Sequence, residues 1–215
     1  MRLLIFGTGG HAKSVVEAIV ARGEDEVMGL INEDGSSVPF LDGYSVLGAN
    51  EDALAIARER KADGAIVALG DAAVRRAIVE SLEGKLLFPS VVHPAAWVSP
   101  SSTIGEGTVV FAGSVVGAST IIGRHCILNT RASVDHDCVI EDFVHVCPGV
   151  TLAGHVRIGE HSWIGVGSTV VDRVALPRET FVRAGSCVIT PRVPLSALSA
   201  VAAVSRGART TAGRP

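Results

Sequence analysis

The sequence predicts an α/β half-domain over residues 1–89, followed by a parallel β-solenoid of hexapeptide repeats over residues 90–190. In the first part, short apolar runs alternate with amphipathic helical segments, which indicates a parallel sheet. In the second part, every sixth residue from Val92 to Val188 is valine, isoleucine or leucine, a strict period that is typical of a repeat architecture. Residues 191–215 are rich in Ser, Ala, Thr, Gly and Arg. We expect them to form a tail, with a short helix that caps the solenoid and then disorder.

The elements of the half-domain follow from its apolar patterning. Predicted strands are RLLIF, EVMGLIN, YSVLG, GAIVALG and an exit strand LLFPSVV. GTGGHAKSVVEAIVARG is predicted to be a glycine turn that runs into an amphipathic helix, and two further helices are predicted at ANEDALAIARERK and DAAVRRAIVESLEGK.

Each hexapeptide carries a second signal besides its aliphatic residue. The residue four positions later is small, so that a large and a small side chain both point inward from one short strand. Glycine often follows the aliphatic residue, as at Gly105, Gly117 and Gly123. We expect these glycines to supply the positive φ of tight corners. Three faces would give a coil of about 18 residues.

Composition excludes several classes of function. The net charge of −3 argues against a nucleic-acid surface. No apolar run reaches the length of about 18 residues that a membrane span needs. The chain starts directly with a strand-like run rather than a signal peptide. We therefore expect a cytoplasmic protein that binds neither nucleic acid nor membrane.

The segment GTGGHA (7–12) joins the first strand to the first helix and fits the G-x-G-x-x-G/A fingerprint of a Rossmann-like phosphate turn. Gly9 and Gly10 would let backbone amides approach a phosphate, and Lys13 would add a positive charge. His11 would either contact the ligand or act as a helix-capping residue. We favour a nucleotide or nucleotide-sugar diphosphate over NAD, because residues 1–89 supply one mononucleotide half only. A purely structural turn is the third alternative.

Three further residues fall at the same edge of the predicted sheet. Asn32 ends the second strand, and Gly70 and Asp71 end a later strand and open its helix. Ligands of open α/β sheets bind at the carboxyl ends of the strands. We therefore assign these residues to substrate binding.

The stretch ASVDHDCVIEDFVH (132–145) holds the strongest catalytic candidate. Asp135 and Asp137 flank His136, and a carboxylate beside an imidazole can hold its tautomer for general-base catalysis. The alternative is a surface histidine with two solvated acids. His145 lies nine residues away, which is one and a half faces, so the two histidines could share a site only between neighbouring subunits. That spacing disfavours a single-chain metal site, and we expect no metal.

The remaining histidines and the cysteines suggest structural roles. The four cysteines lack CxxC spacing and are expected to be reduced, buried and not nucleophilic: Cys126, Cys138, Cys147 and Cys187. Three histidines occupy the outward third position of their hexapeptides and are expected to face solvent: His125, His155 and His161.

GTGGHAK together with NTRASVDHDCVIEDFVHVCPGVTLAGHVRIG (129–159) resembles the sialic-acid O-acetyltransferase and bacillosamine-pathway family of sugar acetyltransferases. This family includes N-acetyltransferases that act on UDP-, dTDP- or GDP-linked 4-amino-deoxysugars. The resemblance covers residues 1–190. It implies a left-handed parallel β-helix, a homotrimer, a sugar nucleotide on the glycine-rich domain, and acetyl-CoA as co-substrate between adjacent helices.

The resemblance also implies individual roles. His136 would be the general base, and Asp137 would raise its basicity. Asn129 would lie near the acceptor, and the cofactor groove would be lined by His145 from the neighbouring chain, Gly154 and Val166. The expected activity is direct N-acetylation of a nucleotide-linked 4-amino-deoxysugar. The alternatives are O-acetylation of sialic acid or another sugar, and a non-catalytic scaffold that binds a sugar nucleotide.

Two features depart from the family pattern. The tail TPRVPLSALSAVAAVSRGART lacks the usual Gly-x-Pro-Ala-like segment, so its contacts to CoA do not follow from the resemblance. Glu141 follows Ile140 where glycine is usual, which predicts a corner that is either strained or turned differently.

Overall fold

The computed structural model describes residues 1–192 and 194. The predicted capping helix of the tail lies outside these residues. Among the described residues, no helix combines the length and the apolar character needed to cross a membrane.

The N-terminal part is a four-stranded parallel sheet flanked by helices. Its strands are β1 (Arg2–Phe6), β2 (Glu26–Asn32), β3 (Val46–Ala49) and β4 (Gly64–Val67), in the order β3-β2-β1-β4. Its helices are α1 (Gly10–Arg22), a 3-10 turn (Asn50–Asp52), α2 (Ala53–Arg60) and α3 (Ala72–Leu82). Because the strand order reverses at β1, a crevice opens at the carboxyl ends of β1, β2 and β4.

The predicted exit strand LLFPSVV does not form as a whole. Leu87 makes only an isolated bridge with Gly64, and regular pairing resumes at Val91. Pro89 lies between them and has no N–H to donate to a ladder, which explains the interruption.

The second part is a parallel β-helix of two-residue strands, in agreement with the predicted hexapeptide period. Its strands are β5 (Val91–Val92), β6 (Trp97–Val98), β7 (Thr103–Ile104), β8 (Val109–Val110), β9 (Val115–Val116), β10 (Ile121–Ile122), β11 (Ile127–Leu128), β12 (Ser133–Val134), β13 (Val139–Ile140), β14 (His145–Val146), β15 (Thr151–Leu152), β16 (Arg157–Ile158), β17 (Trp163–Ile164), β18 (Thr169–Val170), β19 (Ala175–Leu176), β20 (Phe181–Val182) and β21 (Cys187–Val188).

These strands stack into three sheets, which are the faces of a triangular prism. The first face contains β5, β8, β11, β14, β17 and β20; the second contains β6, β9, β12, β15, β18 and β21; the third contains β7, β10, β13, β16 and β19. Residues 18 apart in sequence are neighbours in adjacent coils. The edge between the second and third faces is called the His136 edge below, and the edge between the third and first faces is called the docking edge.

The interior of the β-helix consists of the predicted aliphatic and small side chains. Aliphatic residues such as Val116, Leu128 and Ile140 are fully buried. Buried hydroxyls satisfy backbone groups at the edges: Thr108 Oγ1 donates to the Gly123 carbonyl (2.8 Å) and accepts from the Cys126 amide (2.9 Å). Unpaired buried carbonyls are costly, so these small polar residues stabilise the coil.

The explanation predicted for the edge glycines was wrong. Positive φ occurs two residues later, as at Ser119 (57°) and Asp137 (56°), rather than at Gly105 or Gly117. Position 105 requires glycine because there is no space for a side chain. A Cβ there would lie 2.4 Å from the carbonyl oxygen of Gly123.

The corner at Glu141 also differs from the prediction. The Glu141 amide donates to the Ile158 carbonyl at 2.9 Å, as the equivalent amides do in other coils, so the coil continues without a changed turn.

The N-terminal part packs on the first face of the β-helix. One buried cluster contains Ala12, Val15 and Ile19 of α1 together with Val109 and Ile127 of the first face. The His136 edge is formed by the other two faces and therefore lies opposite the docked N-terminal part. This arrangement governs which residues one chain can bring together.

Candidate functional site

The crevice at the strand ends is a cleft of about 780 Å³. Its lining includes the glycine turn at Gly7 and Gly9, the end of β2 at Asn32, and Leu69 after β4. The cleft therefore lies at the sheet edge that the sequence predicted for ligand binding.

The first turn of α1 opens this cleft with unused backbone donors. Gly9 precedes the helix in an extended conformation, provides no side-chain cap, and no acid lies in the first turn. The N–H groups of a first helical turn have no intrahelical partners and carry the positive end of the helix dipole. Gly10 is exposed and a Cβ would meet nothing there, and Lys13 is exposed near the Phe40 ring. The turn thus suits an anionic group such as a phosphate.

Asn32 and Asp71 are engaged in local structure. The Asn32 amide donates to the Ser36 carbonyl (2.9 Å), and its Oδ1 accepts from the Gly35 amide (2.7 Å), so this side chain orders the loop after β2. Asp71 Oδ1 accepts from two amides of α3 and is the helix N-cap. Gly70 and Asp71 line a second cleft of about 750 Å³ rather than the glycine-turn cleft.

A cluster of two histidines joins α1 to the first face of the β-helix. The His11 ring lies 5.5 Å from Phe111 and 6.1 Å from His145, measured between centroids. His145 Nε2 is 3.2 Å from the Asn129 amide nitrogen, and its ring packs 4.2 Å from Trp163. Burial lowers the pKa of His11 to about 4 and that of His145 to about 3, so both are neutral at pH 7.

The environment of His136 is different. Its side chain is 50% exposed, and Nδ1 lies 2.8 Å from Asp137 Oδ2. A carboxylate can only accept, so the proton is on Nδ1 and the lone pair is on Nε2. The hydrogen bond to Asp137 raises the pKa of His136 above its usual value. This geometry suits an imidazole that accepts a proton at Nε2.

Gly154 lies one coil beyond His136, where a Cβ would come within 2.7 Å of His136 Cε1. The other predicted groove residue, Val166, is 53% exposed and lies between the first and second faces. Gly154 and Val166 therefore lie on different edges of one chain.

The predicted site residues thus form two groups. The cleft, His11, Asn129 and His145 lie on the side of the first face, whereas His136 and its neighbours lie on the opposite edge. The cleft and His136 of one chain therefore lie on opposite sides of the β-helix.

Two expectations about individual residues were wrong. His125 is only 2% exposed, because its ring packs against Phe88 (5.0 Å) and Phe143 (5.1 Å) at the docking edge. Cys187 is exposed rather than buried. The expectation for Cys126 and Cys138 was right: both are buried, and burial raises the pKa of each thiol to about 12.

The sequence gave no sign of the role of Arg75. Arg75 is 1% exposed and connects the two parts of the chain. It donates to the carbonyls of Leu69 (2.7 Å) and Gly70 (3.0 Å) and, across the docking edge, to those of His125 (3.0 Å) and Phe143 (2.8 Å). Burial lowers its pKa to about 10, so it stays charged at pH 7.

Acidification should destabilise the fold through its buried histidines. Burial lowers the folded-state pKa of His125 to about 4 and that of His145 to about 3, from 6.5. The unfolded chain therefore binds more protons as the pH falls below 6.5. We expect the free energy of unfolding to drop by about 2 kcal/mol per imidazole between pH 7.5 and pH 5. Urea denaturation at pH 7.5 and pH 5 measures this difference.

The matched variant is His125→Phe, which keeps an aromatic ring between Phe88 and Phe143 and removes the titrating group. His125 Nε2 has no hydrogen-bond partner to lose. This variant should show a smaller loss of stability at pH 5 than the wild type. An unchanged loss would mean that burial of His125 is not a cause of the acid sensitivity.

Known proteins are similar to this chain in both its N-terminal part and its β-helix. Residues 2–82 match the family model of the PglD N-terminal domain. The acetyltransferase domain of PglB from Neisseria gonorrhoeae FA1090 is 34% identical with a TM-score of 0.80, and the match covers 90% of this chain and 93% of that chain. The same domain has been solved in complex with acetyl coenzyme A.

PerB from Caulobacter crescentus, in complex with CoA and GDP-perosamine, is 34% identical with a TM-score of 0.82, and the match covers 89% of this chain and 90% of that chain. A point mutant of GDP-perosamine N-acetyl transferase from the same organism, with the same two ligands, is 35% identical with a TM-score of 0.83 over the same shares of the two chains. The β-helix is accordingly of the left-handed kind. The chain belongs to the bacillosamine-pathway type of sugar N-acetyltransferases.

Proposed function

We propose that the protein is an acetyl-CoA-dependent N-acetyltransferase that acts on the amino group of a nucleotide-linked 4-amino-deoxysugar. The observation that carries the proposal is the combination of an uncapped glycine turn at a nucleotide-sized cleft with an exposed, carboxylate-held imidazole. The relatives, which bind acetyl coenzyme A, or CoA with GDP-perosamine, support it.

The glycine-turn cleft would hold the nucleotide. The diphosphate accepts hydrogen bonds from the amides of Gly10 and His11 at the start of α1, and Lys13 adds a full positive charge nearby. The ribose and base extend along the cleft toward the loop after β2, where Asn32 holds the backbone. The sugar then projects away from the cleft toward a neighbouring chain.

His136 would act as the general base. Its Nε2 removes a proton from the sugar amine as the amine attacks the acetyl carbonyl, while Asp137 holds the Nδ1 proton and stabilises the imidazolium. Acetyl-CoA supplies the acetyl group as a thioester. As the amide bond forms and the carbon–sulfur bond breaks, His136 returns the proton to the departing thiolate. The reaction needs no cysteine nucleophile, which is consistent with the buried thiols of Cys126 and Cys138.

We further propose that the enzyme is a homotrimer with each site between two chains. Gly154 and Val166 can line one acetyl-CoA groove only if different edges of two chains meet. The second face connects those two edges, and its outward residues are all uncharged: Trp97, Val115, Ser133, Thr151, Thr169 and Cys187. Trp97 is 55% exposed in the single chain. Exposed apolar surface of this kind favours an interface between copies.

Subunit mixing tests whether two chains share a site. Gly9→Glu would place a negative charge at the phosphate position, where a Cβ meets no other atom, so the variant should fold and lose nucleotide binding. Gly9→Glu and His136→Ala should each be nearly inactive alone. Co-expressed trimers should regain about a quarter of the wild-type rate, since random pairing joins an intact cleft to an intact base at one interface in four.

The control for this experiment is Gly9→Gln, which has the same size as the glutamate and no charge, and which should retain more activity. The mass of the purified protein should be three times the chain mass of 22.2 kDa. If mixed trimers are no more active than the separate variants, each chain completes its own site and the shared-site proposal is wrong.

The function itself is tested by thiol release from acetyl-CoA with a panel of nucleotide-linked sugars. UDP-, dTDP- and GDP-linked 4-amino-6-deoxysugars should be acetylated, with a preference for one nucleotide. Each is paired with the sugar that has a 4-hydroxyl group, which should react much more slowly. Faster reaction of the hydroxyl partner would establish an O-acetyltransferase, and nucleotide-sugar binding without any turnover would establish a non-catalytic binding protein.

A further inference from the structure

We propose that the His136 edge binds one zinc ion per chain through His136, Asp137 and His155, and that this ion inhibits the enzyme. The three residues place one ligand atom each within 4.8 Å of one another. The inhibition, though not the binding, rests on the function proposed above.

The coil geometry brings the third ligand to the edge. His155 lies 18 residues beyond Asp137 and therefore occupies the equivalent position in the next coil. Its amide donates to the His136 carbonyl (3.0 Å), and its ring lies edge-on to that of His136 with centroids 5.2 Å apart. The backbone spacing of the two imidazoles is thus set by the β-helix ladder.

The chemistry of the three side chains suits zinc. Two imidazoles and one carboxylate form a typical ligand set for a zinc ion that keeps one position open to water. Tetrahedral zinc holds its ligand atoms about 3.3 Å apart, so the three side chains, whose ligand atoms lie within 4.8 Å of one another, must adjust to bind the ion. His136 and Asp137 are each about half exposed, and rotation of their side chains can close the gap without moving the backbone.

Zinc at this position would block the reaction. Coordination uses the lone pair of His136 Nε2, which the proposed base needs to accept the proton from the amine. His155 has no role in that reaction. It therefore provides a variant that separates zinc binding from catalysis.

Binding is measured first, without reference to activity. The full-length protein, with Cys187→Ser to remove a thiol that is exposed in the single chain, is titrated with Zn²⁺ against a chromophoric chelator and with Co²⁺ by its visible absorption. We expect one ion per chain, and binding weaker by at least about 10–100-fold in His155→Asn, because loss of an outer-shell partner alone costs that much and His155 is a direct ligand. The matched control is His161→Asn, which removes a histidine at the same position of the next hexapeptide but on the docking edge. The His161→Asn variant should bind Zn²⁺ with the same affinity as the Cys187→Ser parent protein.

Inhibition is then measured by loss of thioester absorbance, because zinc binds the thiol that other assays detect. Micromolar Zn²⁺ should inhibit the Cys187→Ser parent protein, and addition of EDTA should restore its activity. The His155→Asn variant should have the same rate as the parent without zinc and should resist inhibition by zinc. Absence of a stoichiometric ion, or equal affinity in His155→Asn, would overturn the proposed site. If zinc binds as expected but no sugar is acetylated, the proposed function fails and the metal site stands.

Discussion

Replacing His136 with alanine should lower kcat by about 10²–10⁴-fold, the usual contribution of a positioned general base. Among the described residues of this edge, no other imidazole is both exposed and held by a carboxylate: His155, its neighbour, lacks the hydrogen bond that Asp137 makes to His136. The measurement is the steady-state rate of thiol release with the best nucleotide sugar of the panel. The KM for that sugar should change little, because the proposed nucleotide site is the glycine-turn cleft, on the side of the chain opposite the His136 edge.

His161→Ala is the control for this prediction. It removes a histidine from the docking edge, one hexapeptide position beyond the equivalent of His136, and kcat should remain near the wild-type value. Asp137→Asn should give an intermediate loss, because it keeps the shape of the side chain and removes the charge that stabilises the imidazolium. A His136→Ala variant with wild-type kcat would exclude this histidine as the base.

Replacing Arg75 with methionine should lower the free energy of unfolding by about 3–5 kcal/mol. Methionine keeps most of the apolar stem of the arginine but lacks the N–H donors of the guanidinium group. Four backbone carbonyl oxygens therefore lose the hydrogen bond that Arg75 donates to them. Those of His125 and Phe143 belong to buried hydrogen bonds that tie α3 to the β-helix. Urea denaturation, followed by circular dichroism, measures the change.

Arg76→Met is a matched control one residue away. Arg76 is 47% exposed and pairs with Glu80 on the surface of α3. An exposed pair of this kind contributes little, so the loss should stay below about 1 kcal/mol. Comparable losses in the two variants would show that the buried hydrogen bonds of Arg75 do not determine stability.

The β-helix could be predicted from the sequence because its interior is encoded locally. Each hexapeptide contributes one large and one small inward residue, and no long-range information is needed to recognise the period. The strands β1 and β2 were likewise predicted to their ends, since each is a continuous apolar run between a charged or polar start and a glycine or polar turn.

Contacts between the two parts of the chain could not be predicted in this way. His125, His155 and His161 occupy equivalent positions of their hexapeptides, yet His125 alone of the three is buried. The difference arises because Phe88 and the Arg75 side chain cover the docking edge at that height. The sequence specifies the position of a residue within its coil, whereas its burial depends on what packs against that edge.

Stacking of residues 18 apart also limits how the length of this chain can change. Deleting a single residue between Phe111 and His136 would shift every later aliphatic side chain out of the interior, and His136 would leave its edge. Deleting one complete coil would preserve both, and would move His136 along the prism by one strand spacing, about 4.8 Å. Insertions and deletions in this part of the protein are therefore tolerated only in whole turns, or as loops that bulge outward from an edge.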